Sequence, residues 1–175
     1  IDVTAPKARN HQPWGGWWLR YLVTDGVAAA AAWAALFWFR KSVIEPRHFG
    51  VEVNVAPDSN FWAAMVVVPL FWWGVHALMG MYLDVRRRHR GLEVRQVVRA
   101  GGLGGVVLFF ALLLDDVTRT HIDHYQSLAV WMSAHIGLVL LGRWLWTSRV
   151  VSKVQSGDWA FATILVGAAE DNNQF

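Results

Sequence analysis

The sequence predicts an all-α membrane protein: a four-transmembrane-helix bundle with both termini cytoplasmic, followed by the first strand of a truncated α/β unit. Three observations predict this. The chain has 175 residues, 55% hydrophobic and only 17% charged, and its apolar residues gather into four separate runs. Six arginines (Arg86, Arg87, Arg88, Arg90, Arg95 and Arg99) crowd the stretch between the second and third runs. A shorter apolar segment, ending in Gly167, follows the fourth run.

The runs are Tyr21–Phe39 (19 residues), Phe61–Leu83 (23), Ala100–Leu114 (15) and Ser127–Trp146 (20). About 20 helical residues, at about 1.5 Å each, cross a hydrocarbon core of about 30 Å. Three runs are long enough. The third is short, so its helix is expected to start near Val97, with Arg99 snorkelling toward the headgroups. The helices are therefore placed at about 17–39, 61–83, 97–114 and 125–148, in a membrane domain over 1–156. Runs of this length without a polar face indicate lipid rather than the buried helical core of a soluble protein. The chain starts at Ile1 without the layout of a signal peptide, which predicts a trimmed start.

Charge sets the expected orientation. Lys and Arg accumulate in short cytoplasmic loops, so the six-arginine hairpin is placed inside. Lys7, Arg9 and Arg20 then fall inside before the first helix, and Arg143, Arg149 and Lys153 inside around the end of the fourth. The outer side keeps only Arg40, Lys41, Arg47 and Arg119. The bias fits a multi-pass membrane protein with both ends inside. Trp14, Trp17, Trp18, Trp144 and Trp146 anchor the inner interface, and Trp38 and Trp62 the outer one. Trp33, Trp72, Trp73 and Trp131 fall deeper and read as packing residues. The net charge of +3 points to anionic lipid headgroups. No basic groove interleaved with aromatics is present, so nucleic acid is not an expected partner. With no cysteine there is neither a disulfide nor a thiolate metal site.

Helix association in lipid relies on close backbone approach. Ala28–Ala32 with Ala34 and Ala35, the pair Gly101 and Gly105, and Gly137 predict tight contacts, with this chain or a second copy. Polar residues within spans are functional candidates. Asp25 and Arg143 fall at similar depth, where they either form a structural ion pair or each reach water. His76 and His135 are candidate haem or chlorophyll ligands. Counted from the outer ends, they lie about 15 and about 8 residues in, a depth difference of about 10 Å that suits a bis-histidine haem poorly. No cofactor is predicted. The second outer loop, from Asp115 to Tyr125 with His121, Asp123 and His124, is dense enough in ligand types for zinc. Its spacing fits no standard site, and a polar connection explains it as well.

Beyond the fourth run, Val150, Val151 and Val154 share one helical face, which predicts a helix continuing along the interface. Gly157 and Asp158 break it. Trp159 to Val166 then reads as a buried parallel strand entering a turn at Gly167. One glycine is a weak phosphate-binding signal.

The chain resembles the N-terminal half of the polyprenyl glycosylphosphotransferases. The resemblance is carried by Arg20-Tyr21 with Asp25 before an Ala/Trp-rich helix ending Phe39-Arg40-Lys41. It continues through Gly80, Tyr82, Asp84 and Arg86–Arg88, with Glu93 after them. Asp115-Asp116, His124-Tyr125, the stretch from His135 to Arg143, and Thr163 to Gly167 complete it. The resemblance implies that residues 157–175 begin a Rossmann-like cytoplasmic domain. It implies a non-catalytic membrane-anchoring and assembly portion of a polyprenyl-phosphate sugar-1-phosphate transferase that initiates polysaccharide synthesis. The family's catalytic domain lies beyond this segment, so no residue here is carried over as catalytic. The alternative is a structural accessory subunit of a larger membrane complex, photosynthetic or respiratory, derived from that membrane domain. A third reading is an electron-transfer protein built on His76 and His135. Expected partners are membrane lipids and either a homo-oligomer or a larger membrane complex.

Overall fold

The structure is a computed structural model, and it describes residues 16–50, 55–83, 90–114 and 121–156. Its helices are α1 (Trp17–Phe39), α2 (Glu45–Phe49), α3 (Ser59–Leu78), α4 (Arg90–Leu114) and α5 (His121–Gln155). Among the described residues there is no strand. Among the described residues, four helical stretches are long and apolar enough to cross a membrane: Trp18–Arg47, Ser59–Leu78, Gly91–Ala111 and His121–Ser152. The expected strand at 159–167 lies outside the described residues, as do Arg86, Arg87 and Arg88 and the stretch 115–120.

Each boundary has a local cause. The helix does not stop at Phe39. A π-helical turn, Arg40–Ile44, joins α1 to α2. Pro46 sits in the first turn of α2 and can donate no backbone hydrogen bond to the turn before it, and the wider π turn accommodates that. Lys41 Nζ braces the turn from 3.0 Å against Glu45 Oε2. Gly50, at φ 65°, ends it. Helix α3 starts two residues before the expected position, because the Asp58 carboxylate accepts the Phe61 backbone N–H at 2.8 Å.

Helix α3 also ends five residues before the expected Leu83. Gly80 takes φ 66°. Its N–H donates to the Ala77 carbonyl at 2.9 Å, and the Met81 N–H donates to the His76 carbonyl at 2.9 Å. This is a Schellman stop, closed by the fully buried Met81 side chain. Helix α4 starts at Arg90, a full two turns before Val97. Helix α5 starts at His121, so His121 to Tyr125 form its first turn rather than a loop. It also runs on to Gln155. At 35 residues it is roughly 50 Å long, longer than a hydrocarbon core is thick.

Helix α1 lies at the centre and packs against both α5 and α3, while α4 packs chiefly on α5. Tyr21, Asp25, Ala28, Ala29, Ala32 and Leu36 form one buried stripe along α1. The alanines let neighbouring backbones come close. On α4 the buried positions include Glu93, Val97, Ala100, Gly101, Gly104 and Leu108, at helical spacing. On α5 they recur every fourth residue: Ser127, Trp131, His135, Val139, Arg143 and Thr147. Each step of four advances about 40° around the helix, so the buried face of α5 turns along its length.

Glycines mark the closest approaches. A Cβ on Gly104 would lie 2.5 Å from the Trp72 ring, and one on Gly101 would lie 2.9 Å from Ile136 Cδ1. Gly101 and Gly105 therefore pack on α5 of the same chain, against Ile136 and Met132. Gly26 against Trp73 and Gly142 against Thr24 are equally tight. Gly137, expected at a contact, has nothing within 4 Å, because it lies on the outer face of α5.

The polarity of the bundle is inverted relative to a protein in water. Val27 is 64% exposed, Val66 61% and Leu78 84%, while Asp25, His76, His135 and Arg143 are at most 2% exposed. Apolar residues line the perimeter and ionisable ones fill the axis. Water would penalise this distribution and lipid favours it. The chain has the architecture of a multi-pass membrane protein.

Candidate functional site

The site is a polar node inside the bundle, centred on Asp25. It sits toward the end that holds the start of α1, the end of α3, the start of α4 and the end of α5, called here the basic end. Asp25 belongs to the inward stripe of α1 and is fully buried. Arg143 Nη2 of α5 donates to Asp25 Oδ2 at 2.5 Å. His76 Nδ1 of α3 stands 3.0 Å from the same oxygen. Tyr82 Oη donates to it at 3.0 Å.

The stop at Gly80 makes the third of these possible. A helix continued to Leu83 would carry Tyr82 onward along the helix axis. The Schellman turn reverses the chain and swings the phenol back over Asp25. Tyr82 lies past the spanning part of α3. Burial, with the Asp25 carboxylate beside it, holds its phenol above the usual range, so it remains a donor. The guanidinium of Arg143 also lies 5.4 Å from the Tyr21 ring centroid and 5.9 Å from that of Tyr82.

A second branch leads to α4. Glu93 is buried, and its Oε2 accepts from Thr147 Oγ1 at 2.6 Å. Thr147 Oγ1 stands 3.2 Å from Tyr21 Oη. Through this branch and the Asp25 node, buried polar groups of α1, α3, α4 and α5 are joined. Buried ionisable groups in lipid are found paired for this reason: the unpaired charge is costly.

His135 lies beside the node rather than in it. Its ring stacks on Trp72, with centroids 3.7 Å apart and planes at 22°. Neither ring nitrogen has a hydrogen-bond partner among the described residues. The His76 and His135 rings are 5.8 Å apart, centroid to centroid. The expected depth difference of about 10 Å is thus corrected. α5 begins at His121, six residues earlier than the count assumed, and this brings His135 level with His76. Proximity does not make a haem or chlorophyll site. Trp72 stacks on one face of His135, and the His76 Nδ1 stands against Asp25.

Of the arginines expected at the headgroups, Arg95 and Arg99 are exposed, one turn apart on α4. Arg90 opens the same helix. Asp123 and His124 are buried at the other end, where Phe109 packs edge-on against His124 at 5.0 Å. No group of three or more His, Cys, Asp or Glu suited to a metal occurs among the described residues.

Sequence reasoning named Asp25, Arg143 and His76 but did not join all three, and it gave Tyr82, Glu93 and Thr147 no role. The spacing Glu93, Val97, Ala100 would have placed Glu93 on the inward face of α4. Tyr82 needed the turn geometry. No family model, no curated protein and no solved structure matches the chain.

Proposed function

We propose that this chain is a non-catalytic membrane-anchoring and assembly domain of the bacterial inner membrane. In this reading the basic end faces the cytoplasm. It is the kind of domain that precedes the sugar-phosphate transferase unit in polyprenyl glycosylphosphotransferases, which the sequence resembles. The observation that carries it is the state of Asp25. The most deeply buried carboxylate of the bundle has one oxygen that receives Arg143, His76 and Tyr82, from two other helices and a turn. A carboxylate committed in this way fastens helices together. It is not placed to meet a substrate from water.

The test is direct. The chain is reconstituted in nanodiscs with a nucleotide sugar and a polyprenyl phosphate, and transfer of sugar phosphate is measured. No turnover is expected. Turnover by this segment alone would overturn the reading.

A second reading, a structural accessory subunit of a larger photosynthetic or respiratory assembly, is favoured by outward-facing glycines. Gly74 on α3 and Gly102 on α4 have nothing within 4 Å, so the helix of another chain can approach closely there. Oxidative crosslinking of Gly74→Cys in native membranes separates the two. A homodimer band supports a self-assembling anchor, and a band with a different chain supports the accessory subunit.

A further inference from the structure

Trp146 lies at the basic end, and two guanidiniums converge on its ring. Arg20 Cζ of α1 is 5.3 Å from the ring centroid. Arg149 Cζ of α5 is 4.9 Å from it. The ring is held in place by hydrogen bonds. Its Nε1–H donates to Thr24 Oγ1 at 2.8 Å, and Thr24 Oγ1 in turn donates to the Arg20 carbonyl at 2.7 Å. The aromatic plate is therefore fixed by α1, while both cations that use it are exposed.

The surroundings set the depth. Trp18, Leu19, Trp144 and Leu145 are all exposed around the same end of α1 and α5. Exposed indoles and aliphatic side chains beside guanidiniums mark the boundary between acyl chains and headgroups. The two guanidinium carbons can be no further apart than about 10 Å, their two distances to the ring laid end to end. Both side chains are long and exposed, so one phosphate can draw them together. Arginine favours phosphate because its planar fork matches two phosphate oxygens at once.

We propose that Arg20, Trp146 and Arg149 form a specific site for the phosphate of an anionic phospholipid at the α1–α5 seam. The two guanidiniums hold the headgroup phosphate, the indole plate orients them, and the acyl chains lie along the exposed apolar flank of α1 and α5. This site is separate from the arginines of the α3–α4 connection and of α4. It requires that the bundle span a membrane, and it does not depend on what the bundle anchors.

The experiment uses the full chain in mixed micelles and measures binding of phosphatidylglycerol by native mass spectrometry. Phosphatidylcholine and inorganic phosphate serve as comparison arms. Removing one cation near the surface weakens anionic-lipid binding about fivefold. Arg149→Gln and Arg20→Gln should each show that loss, the double variant should compound it, and Arg149→Lys, which keeps the charge but loses the fork, should fall between Arg149→Gln and the parent. Both arginines are exposed, so thermal midpoints of the Gln variants should match the parent. Unchanged phosphatidylglycerol binding in the double variant overturns the proposal. So does equal binding of phosphatidylcholine, or displacement of the lipid by millimolar inorganic phosphate, which would mark a site for a soluble anion.

Discussion

Asp25 gathers three donors on a single oxygen, and that asymmetry decides how its neighbours respond to substitution. Removing one member of a buried charge pair leaves the other uncompensated, which costs about 3 kcal/mol. Arg143→Met is expected to destabilise the bundle by that amount in an SDS titration. Neutralising both sides, in Asp25→Asn with Arg143→Met, should cost less than the two single changes combined, since no lone charge remains. A charge swap between the two positions should not rescue, because His76 and Tyr82 would then present donors to an arginine. Tyr82 adds a pH dependence of predictable sign. Its phenol is raised from the usual 10.0, first by burial and then by the nearby carboxylate. Above that pH the unfolded chain loses the proton while the folded chain retains it, so stability falls as pH rises. Tyr82→Phe removes this group and should flatten the alkaline limb of a stability–pH curve, at a neutral-pH cost of about 1 kcal/mol for the lost hydrogen bond.

The element scale is ruled by close approach. Trp72, fully buried on α3, fills the space that a side chain on residue 104 of α4 would need, and it also stacks on the ring of His135 on α5. One indole thus spaces three helices. Gly104→Ala places a methyl group 2.5 Å from that ring. Overpacking of this kind typically costs about 1–3 kcal/mol. Gly137→Ala meets open space on α5 and should change stability by no more than about 0.5 kcal/mol. Thermal or detergent unfolding of the two variants side by side checks the contrast. Equal losses at both sites would mean that α3 and α4 are not seated as described. Their mutual contact is slight, so the indole is a main link between them.

For the molecule as a whole, the decisive property is polarity turned inward. The apolar perimeter and the ionisable axis require lipid as solvent, and the arginine count predicts which end faces the cytoplasm. The chain has no cysteine, so a single introduced thiol is a clean reporter. In right-side-out vesicles, Glu52→Cys between α2 and α3 is expected to react with an impermeant maleimide. Arg88→Cys between α3 and α4 should react only after permeabilisation. Labelling in the reverse order would invert the proposed orientation. It would leave the fold untouched, since no internal contact depends on which side is cytoplasmic.

Length and hydropathy determined the spans, because crossing lipid needs about 20 apolar residues whatever the partners are. They also singled out Asp25, His76, His135 and Arg143 as candidates, since a polar group inside a greasy run is conspicuous at any depth. Element ends were less legible. The early stop of α3 rests on a left-handed glycine, and the early start of α5 on a first turn made of His, Ile, Asp, His and Tyr, which composition alone reads as a loop. Those two boundaries moved Tyr82 onto Asp25 and brought His135 level with His76. Only the tertiary structure decided these meetings. The sequence records which residues a helix carries, while the relative depth of facing helices comes from how their glycines, alanines and indoles fit together. That fit joins residues more than a hundred positions apart, as it joins Asp25 to Arg143.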